Sequence, residues 1–150
     1  MKAFHRILAC TDFSTPGNAA IEAAIGLCKD SGTTLILVHV LDAPPPVNPM
    51  YAHYYTTGAL DPAQRAQAEA EATKALLDMV PQALRSLGVQ VEVRIGHGLP
   101  VDEIQRLADA EKADMLVVGT QGHTGLAALI LGSVVDRIVR LAKCPVLVVR

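Results

Sequence analysis

The residues with the clearest capacity for chemistry lie between positions 119 and 134. Gly119-Thr120-Gln121-Gly122-His123-Thr124-Gly125 is followed by an apolar stretch and then by Gly132-Ser133-Val134. Glycines let a backbone turn tightly and approach a ligand closely. Gly132-Ser133 stands where a helix begins. The free N–H groups of a helix start, with a hydroxyl beside them, suit a phosphate. No Lys or Arg occurs from Gly119 to Val135. The run is therefore not a Walker A loop, which needs Gly-Lys before Ser or Thr. Nor is it the Gly-x-Gly-x-x-Gly dinucleotide fingerprint, which would follow the first strand, where Thr11-Asp12-Phe13-Ser14 stands instead. A helix terminus stabilises an anion by about 0.3–2 kcal/mol. That is too little alone for a triphosphate, so a divalent ion, Mg2+, is implied.

Two further features end apolar runs: Thr11-Asp12 and Val40-Leu41-Asp42. Asp12 has three possible roles there: accepting a hydrogen bond from a ligand, contacting a metal, or capping the next helix. Ser133 can both cap a helix and meet a phosphate. The five histidines show no His-x3-His spacing, and the cysteines no Cys-x2-Cys, so a transition-metal site is not indicated. His39, inside a strand, reads as a hydrogen-bonded core histidine. His97, between two glycines, reads as loop surface. No nucleophile–base pair is placed by the sequence, and the glycine loop supplies no cation for phosphoryl transfer. The pattern points to tight binding with little turnover.

The elements that position these residues are legible. Apolar runs at 6–11, 34–41, 89–95, 114–119 and 145–149 predict five strands. Leu35-Ile36-Leu37-Val38 and Met115-Leu116-Val117-Val118 do not alternate, as expected of strands buried on both faces of a parallel sheet. Helices open at Ser14-Thr15-Pro16, Asp61-Pro62, Pro100 and near Ser133, the first closing by Gly32. Pro81 should kink the second helix or end a segment near Val80. The order β-α-β-α-β-α-β-α-β requires right-handed crossovers and helices on both faces of an open sheet. Ligands of such sheets bind beyond the carboxyl ends of the strands. The 43–61 connection, opening on Ala43-Pro44-Pro45-Pro46, is long for a compact domain.

Composition narrows the class. The 150 residues fit one domain, 1–150, and 51% of them are hydrophobic with a mean hydropathy of +0.32. Thirteen basic and fifteen acidic residues nearly cancel, and no basic stripe suggests nucleic acid. No run suits a membrane span or a signal peptide. Cys10, Cys28 and Cys144 are too few and too scattered for a disulfide framework, so the protein is expected in the cytoplasm. There is no Trp, and the core must be aliphatic. Of the two Phe and three Tyr, Phe13, Tyr51, Tyr54 and Tyr55 fall on the ligand side of the predicted sheet. The tyrosine loop suits a lid, a dimer contact or an ordinary surface loop.

The spacing Gly119-x2-Gly122-x9-Gly132-Ser133 resembles the ATP-binding signature of the universal stress protein family. The resemblance extends to Ile7–Asp12, Leu35–Asp42 with His39, Gly96–Pro100 and Cys144–Val149, and so to nearly the whole chain except 43–61. It implies a Rossmann-like α/β fold with a five-stranded parallel sheet of order 3-2-1-4-5. It implies that Thr11, Asp12 and Val40 hold the adenosine part of ATP, and that Gly119 lies by the ribose. Gly122, His123, Gly132, Ser133 and Val134 would contact phosphates, mostly through backbone N–H groups. Cys10 is a departure, since many members have Pro or Val there. The resemblance further implies a homodimer through the last strand, Val146 to Val149, and a regulator whose nucleotide tunes its contact with a protein partner. A slow ATPase, or autophosphorylation on Ser133 or a threonine, is the enzymatic alternative. A dimeric scaffold that ignores nucleotide is a third.

Overall fold

A computed structural model describes residues 4–30, 32–42, 60–120 and 132–150. Gly122, His123 and the three tyrosines lie outside these residues. Five parallel strands form one sheet: β1 (Arg6–Cys10), β2 (Thr34–Asp42), β3 (Gln90–Gly98), β4 (Met115–Gly119) and β5 (Val146–Val149). Their order is β3-β2-β1-β4-β5, as the resemblance implied. The helices are α1 (Thr15–Leu27), α2 (Pro62–Asp78), α3 (Gln82–Ser86), α4 (Pro100–Ala110) and α5 (Ser133–Leu141). No helix among the described residues is long and apolar enough to cross a membrane.

Strand parity separates two cores. Ile7, Leu35, Leu37, Met115 and Val117 pack with Ala20, Ile21 and Ala24 of α1, Leu76 of α2 and Leu84 of α3. On the opposite face Leu8, Ile36, Val38, Leu116 and Val118 pack with Ile104 and Leu107 of α4 and Val135 and Ile138 of α5. Each fully buried Leu or Ile contributes roughly 1.5–3 kcal/mol. Central strands covered on both sides explain why the apolar runs do not alternate.

The second helical stretch is divided at Pro81, one of the two outcomes expected there: α2 stops at Asp78, and Pro81, whose ring cannot continue a helix, caps α3. Two boundaries differ from the sequence reading. The first helix ends at Leu27, short of Gly32. The third strand runs on to Gly98, so His97 belongs to an edge strand and not to a loop. It is exposed nonetheless, and its Nε2 lies 3.0 Å from Glu69. An edge strand tolerates glycine and a polar outward residue where a central strand does not.

The amino end of the sheet is held by charge. Arg6 of β1 and Arg94 of β3 both pair with Glu111 at the end of α4, and Arg94 also pairs with Glu92. The Asp114 carboxylate accepts from the His5 and Arg6 amides at 2.8 and 3.1 Å. Lys143 pairs with Asp109 across 2.6 Å.

The carboxyl end is held by close backbone contact. A Cβ on Gly119 would stand 2.4 Å from the Pro16 carbonyl oxygen and 2.9 Å from the Gly17 amide nitrogen. What demands glycine at the end of β4 is therefore the first turn of α1, before any ligand is considered. Backbone cannot yield as a side chain would. Gly119→Ala should lower stability by about 1–3 kcal/mol, read as a drop in the thermal midpoint; an unchanged midpoint would contradict this contact.

Candidate functional site

The turn after β1 is built from side-chain bonds to backbone. The β1–β2 register stops at Cys10↔Val38, and Thr11 N–H makes one more bond, to the Val38 carbonyl at 3.0 Å. Phe13 then adopts φ +63°, a left-handed conformation uncommon for a bulky residue. Thr11, which is buried, holds this bend twice. Its Oγ1 accepts from the Phe13 amide at 2.9 Å and donates to Asn18 Oδ1 at 2.9 Å. One Asp12 carboxylate oxygen accepts from the Ser14 amide at 3.0 Å and from the Ser14 hydroxyl. Ser14 Oγ in turn accepts from the Gly17 amide at 3.2 Å and is the N-cap of α1. Asp12 thus does not cap the helix itself; it orients the residue that does.

The second wall comes from β4 and α5. Thr120 N–H donates to the Val149 carbonyl at 2.8 Å, and Gly132 N–H donates to the Thr120 carbonyl at 3.0 Å. Thr120 at the end of β4 and Gly132 at the start of α5 are therefore bonded to each other. Gly132 is the N-cap of α5, and no side chain caps it. Ser133 is the first helical residue, so its hydroxyl does not serve as the cap. The amides of Ser133, Val134 and Val135 precede the first intrahelical bond, which Asp136 makes to Gly132 at 2.9 Å. Among the described residues, none of the three has an acceptor.

Between these walls lies a cleft of about 510 Å³ at the carboxyl ends of the strands. Of the nine residues singled out in the sequence, Thr11, Asp12, Val40, Gly119, Gly132, Ser133 and Val134 all line it. Gly122 and His123 are outside the described residues. Val38, Ile104, Val118 and Ile138 supply an apolar floor, and Pro100 a rim. Among the described residues, no Lys or Arg lines the cleft.

Among the lining residues that the sequence reading did not name as site residues, two carry a titratable side chain, Cys10 and His39. Cys10 sits on the floor, and burial pushes its thiol up to about 12. It is protonated at neutral pH and is no nucleophile. Its place two residues beyond core Leu8 on the same strand face was the available signal. His39 also lines the cleft. Its Nδ1 lies 2.9 Å from the Thr11 carbonyl, and its ring lies 4.6 Å from that of Phe13. It is the hydrogen-bonded strand histidine expected, but bonded at the site's edge.

An open parallel α/β sheet with a polar-walled, apolar-floored cleft at its topological switch point defines a Rossmann-like α/β protein. Comparisons with known proteins narrow that class. Residues 3–150 match the model of the universal stress protein family. Universal stress protein MJ0531 of Methanocaldococcus jannaschii is 31% identical over 148 residues, covering 98% of this chain and 82% of that one. Universal stress protein YxiE of Bacillus subtilis is 30% identical, covering 98% and 99%. The chain belongs to the universal stress protein family. Among solved structures, hypothetical protein MJ0577 aligns with a TM-score of 0.75 at 26% identity, covering 99% of this chain and 96% of that one. A universal stress protein in complex with cAMP aligns at 0.65 and 27%, covering 99% and 98%.

The Cys10 environment makes a prediction. A thiol displaced from 9.0 to about 12 by burial holds roughly a thousandfold less thiolate below pH 9. Alkylation of Cys10 by iodoacetamide at pH 8, followed by peptide mass spectrometry, should be far slower in native than in unfolded protein. Equal rates would place the thiol in water.

Proposed function

We propose that this chain is a single universal stress protein domain, 1–150, that binds ATP with Mg2+ in the cleft and acts as a cytoplasmic homodimeric regulator. Bound nucleotide would tune the surface it offers to protein partners. The observation that carries the reading is the cleft itself. It gathers the apolar floor, the Thr11-Asp12 turn, the Val40 backbone and the open amides of α5 into one volume. The likeness to a family member in complex with cAMP supports an adenine nucleotide as the ligand class.

The residues fit such a ligand in kind. Val40 and Thr11 would meet the nucleoside, Gly119 the ribose, and Gly132, Ser133 and Val134 the phosphates. Mg2+ would supply positive charge that an α5 terminus alone provides only weakly. Gly122 and His123 complete the proposed phosphate side. The reading is one of binding with little turnover.

For the dimer, the support is the edge strand. All four residues of β5 are only half-buried, and among the described residues β5 pairs on one side alone, with β4. Val139 and Leu141 of α5 are 43% and 53% exposed. An apolar edge strand of this kind needs cover. Light scattering should give twice the chain mass, and Val148→Lys should shift the protein toward monomer; a monomeric parent protein would overturn the dimer.

The nucleotide reading has a direct test. Freshly purified protein, denatured and filtered, should release an adenine nucleotide, and calorimetry on stripped protein should show ATP binding that weakens when EDTA removes Mg2+. Gly132→Val should reduce ATP affinity by about tenfold or more through the displaced α5 terminus. No released nucleotide, together with no binding near millimolar ATP with Mg2+, would overturn the reading.

A further inference from the structure

The ladder between β1 and β2 stops in an unusual way. Even-numbered residues of β2 turn their backbone groups toward β1: Thr34 N–H donates to the His5 carbonyl at 2.7 Å, and Val38 C=O accepts from Thr11 N–H at 3.0 Å. Odd-numbered positions face β3, as Thr33 C=O does in accepting from Gln90 N–H. The next two rungs on the β1 side would both use Val40. Its N–H would donate to the Thr11 carbonyl, and its C=O would accept from the Phe13 amide.

Among the described residues neither rung forms, and side chains bond the would-be partners instead. The Thr11 carbonyl is bonded to His39 Nδ1 at 2.9 Å. A carbonyl only accepts, so Nδ1 carries the proton. The Phe13 amide is bonded to Thr11 Oγ1 at 2.9 Å. Among the described residues Val40 thus has an adjacent donor and acceptor facing the gap without a partner, and it lines the cleft. A half-buried backbone pair of this kind is open to a ligand that offers a matching acceptor and donor. The His39 ring is kept in place by Phe13, whose left-handed φ carries its own ring against the imidazole.

We infer that His39 is a positioning residue, working with the Thr11 hydroxyl: it ends the β1–β2 ladder early and so holds the Val40 backbone edge open for the donor and acceptor of a nucleotide base. The base is taken from the nucleotide reading above; the open edge does not depend on that reading. His39 acts through Thr11 and Val40 and need not touch the ligand.

Two substitutions separate the bond from the ring. His39→Asn keeps a donor at the Nδ1 position and loses the ring. His39→Phe keeps a ring against Phe13 and loses the donor, freeing the Thr11 carbonyl for Val40 N–H. The readouts are amide hydrogen exchange at Val40 by NMR and calorimetric affinity for ATP and adenosine. In nucleotide-free parent protein, Val40 should exchange about tenfold or more faster than Val38, its neighbour on the same strand side. Adenosine should slow it. In His39→Phe, Val40 should become protected without ligand, and affinity should fall about tenfold. A merely structural loss would loosen Val40, the opposite sign. His39→Asn should keep fast exchange at Val40 and nucleotide affinity within about threefold of the parent. Val40 protected in the parent, or His39→Phe binding like the parent, would overturn the inference. Fast exchange in the parent, protection in His39→Phe and no nucleotide binding by either would uphold the open edge and overturn only the nucleotide reading.

Discussion

The structure depends on one constraint: the central strands are buried on both faces. Ile7, Leu8, Leu35, Ile36, Leu116 and Val117 are sealed between helices above and below. A polar side chain along such a stretch would need a partner that the packing has no room to supply. Polar chemistry is therefore displaced to the strand ends. The ends are not level. β1 stops at Cys10 opposite Val38, while β2 continues to Asp42 opposite Gly98 on β3. That overrun makes one wall of the cleft, and α5, entering after β4, makes the other.

Tight contact then fixes where the walls stand. Gly119 and Pro16 meet backbone to backbone, so the end of β4 and the start of α1 cannot shift independently. Gly17, the next residue of α1, is pressed as closely: a Cβ there would stand 2.7 Å from Thr11 Oγ1 and 2.8 Å from Asp12 Oδ1. The Thr11-Asp12 turn is thus backed by α1 and tied from the side by His39. Few of its atoms have freedom to adjust, as a preorganised binding edge requires.

Much of this was legible in the chain. Double-sided burial writes itself as unbroken apolar runs, so strand positions and fold class followed. Glycine, serine and proline mark turns and helix starts, and the family resemblance built on them implied seven of the residues that line the cleft. What stayed hidden was of another kind. The His39–Thr11 bond joins residues 28 apart, and sequence spacing carries no sign of it. Asp12 and Ser14 are both good caps by type, and only geometry shows that Ser14 does the capping. Pro81 announced a kink or a break, and only the structure shows that it is a break. His97 looked like loop because flanking glycines signal turns, yet an edge strand accepts them.

The paired charges at the amino end of the sheet have a consequence for encounter. Arg6, Arg94 and Lys143 each face a carboxylate within 3 Å, so their fields are largely cancelled at short range. A diffusing anion meets no strong decoy from these residues on that side of the molecule. At the opposite end, on the nucleotide reading proposed above, the attraction would come from oriented backbone dipoles, which fall off within about one helical turn. If the cleft takes a nucleotide as proposed, capture would be short-sighted: an anion would be recognised on arrival, with no steering from these paired charges.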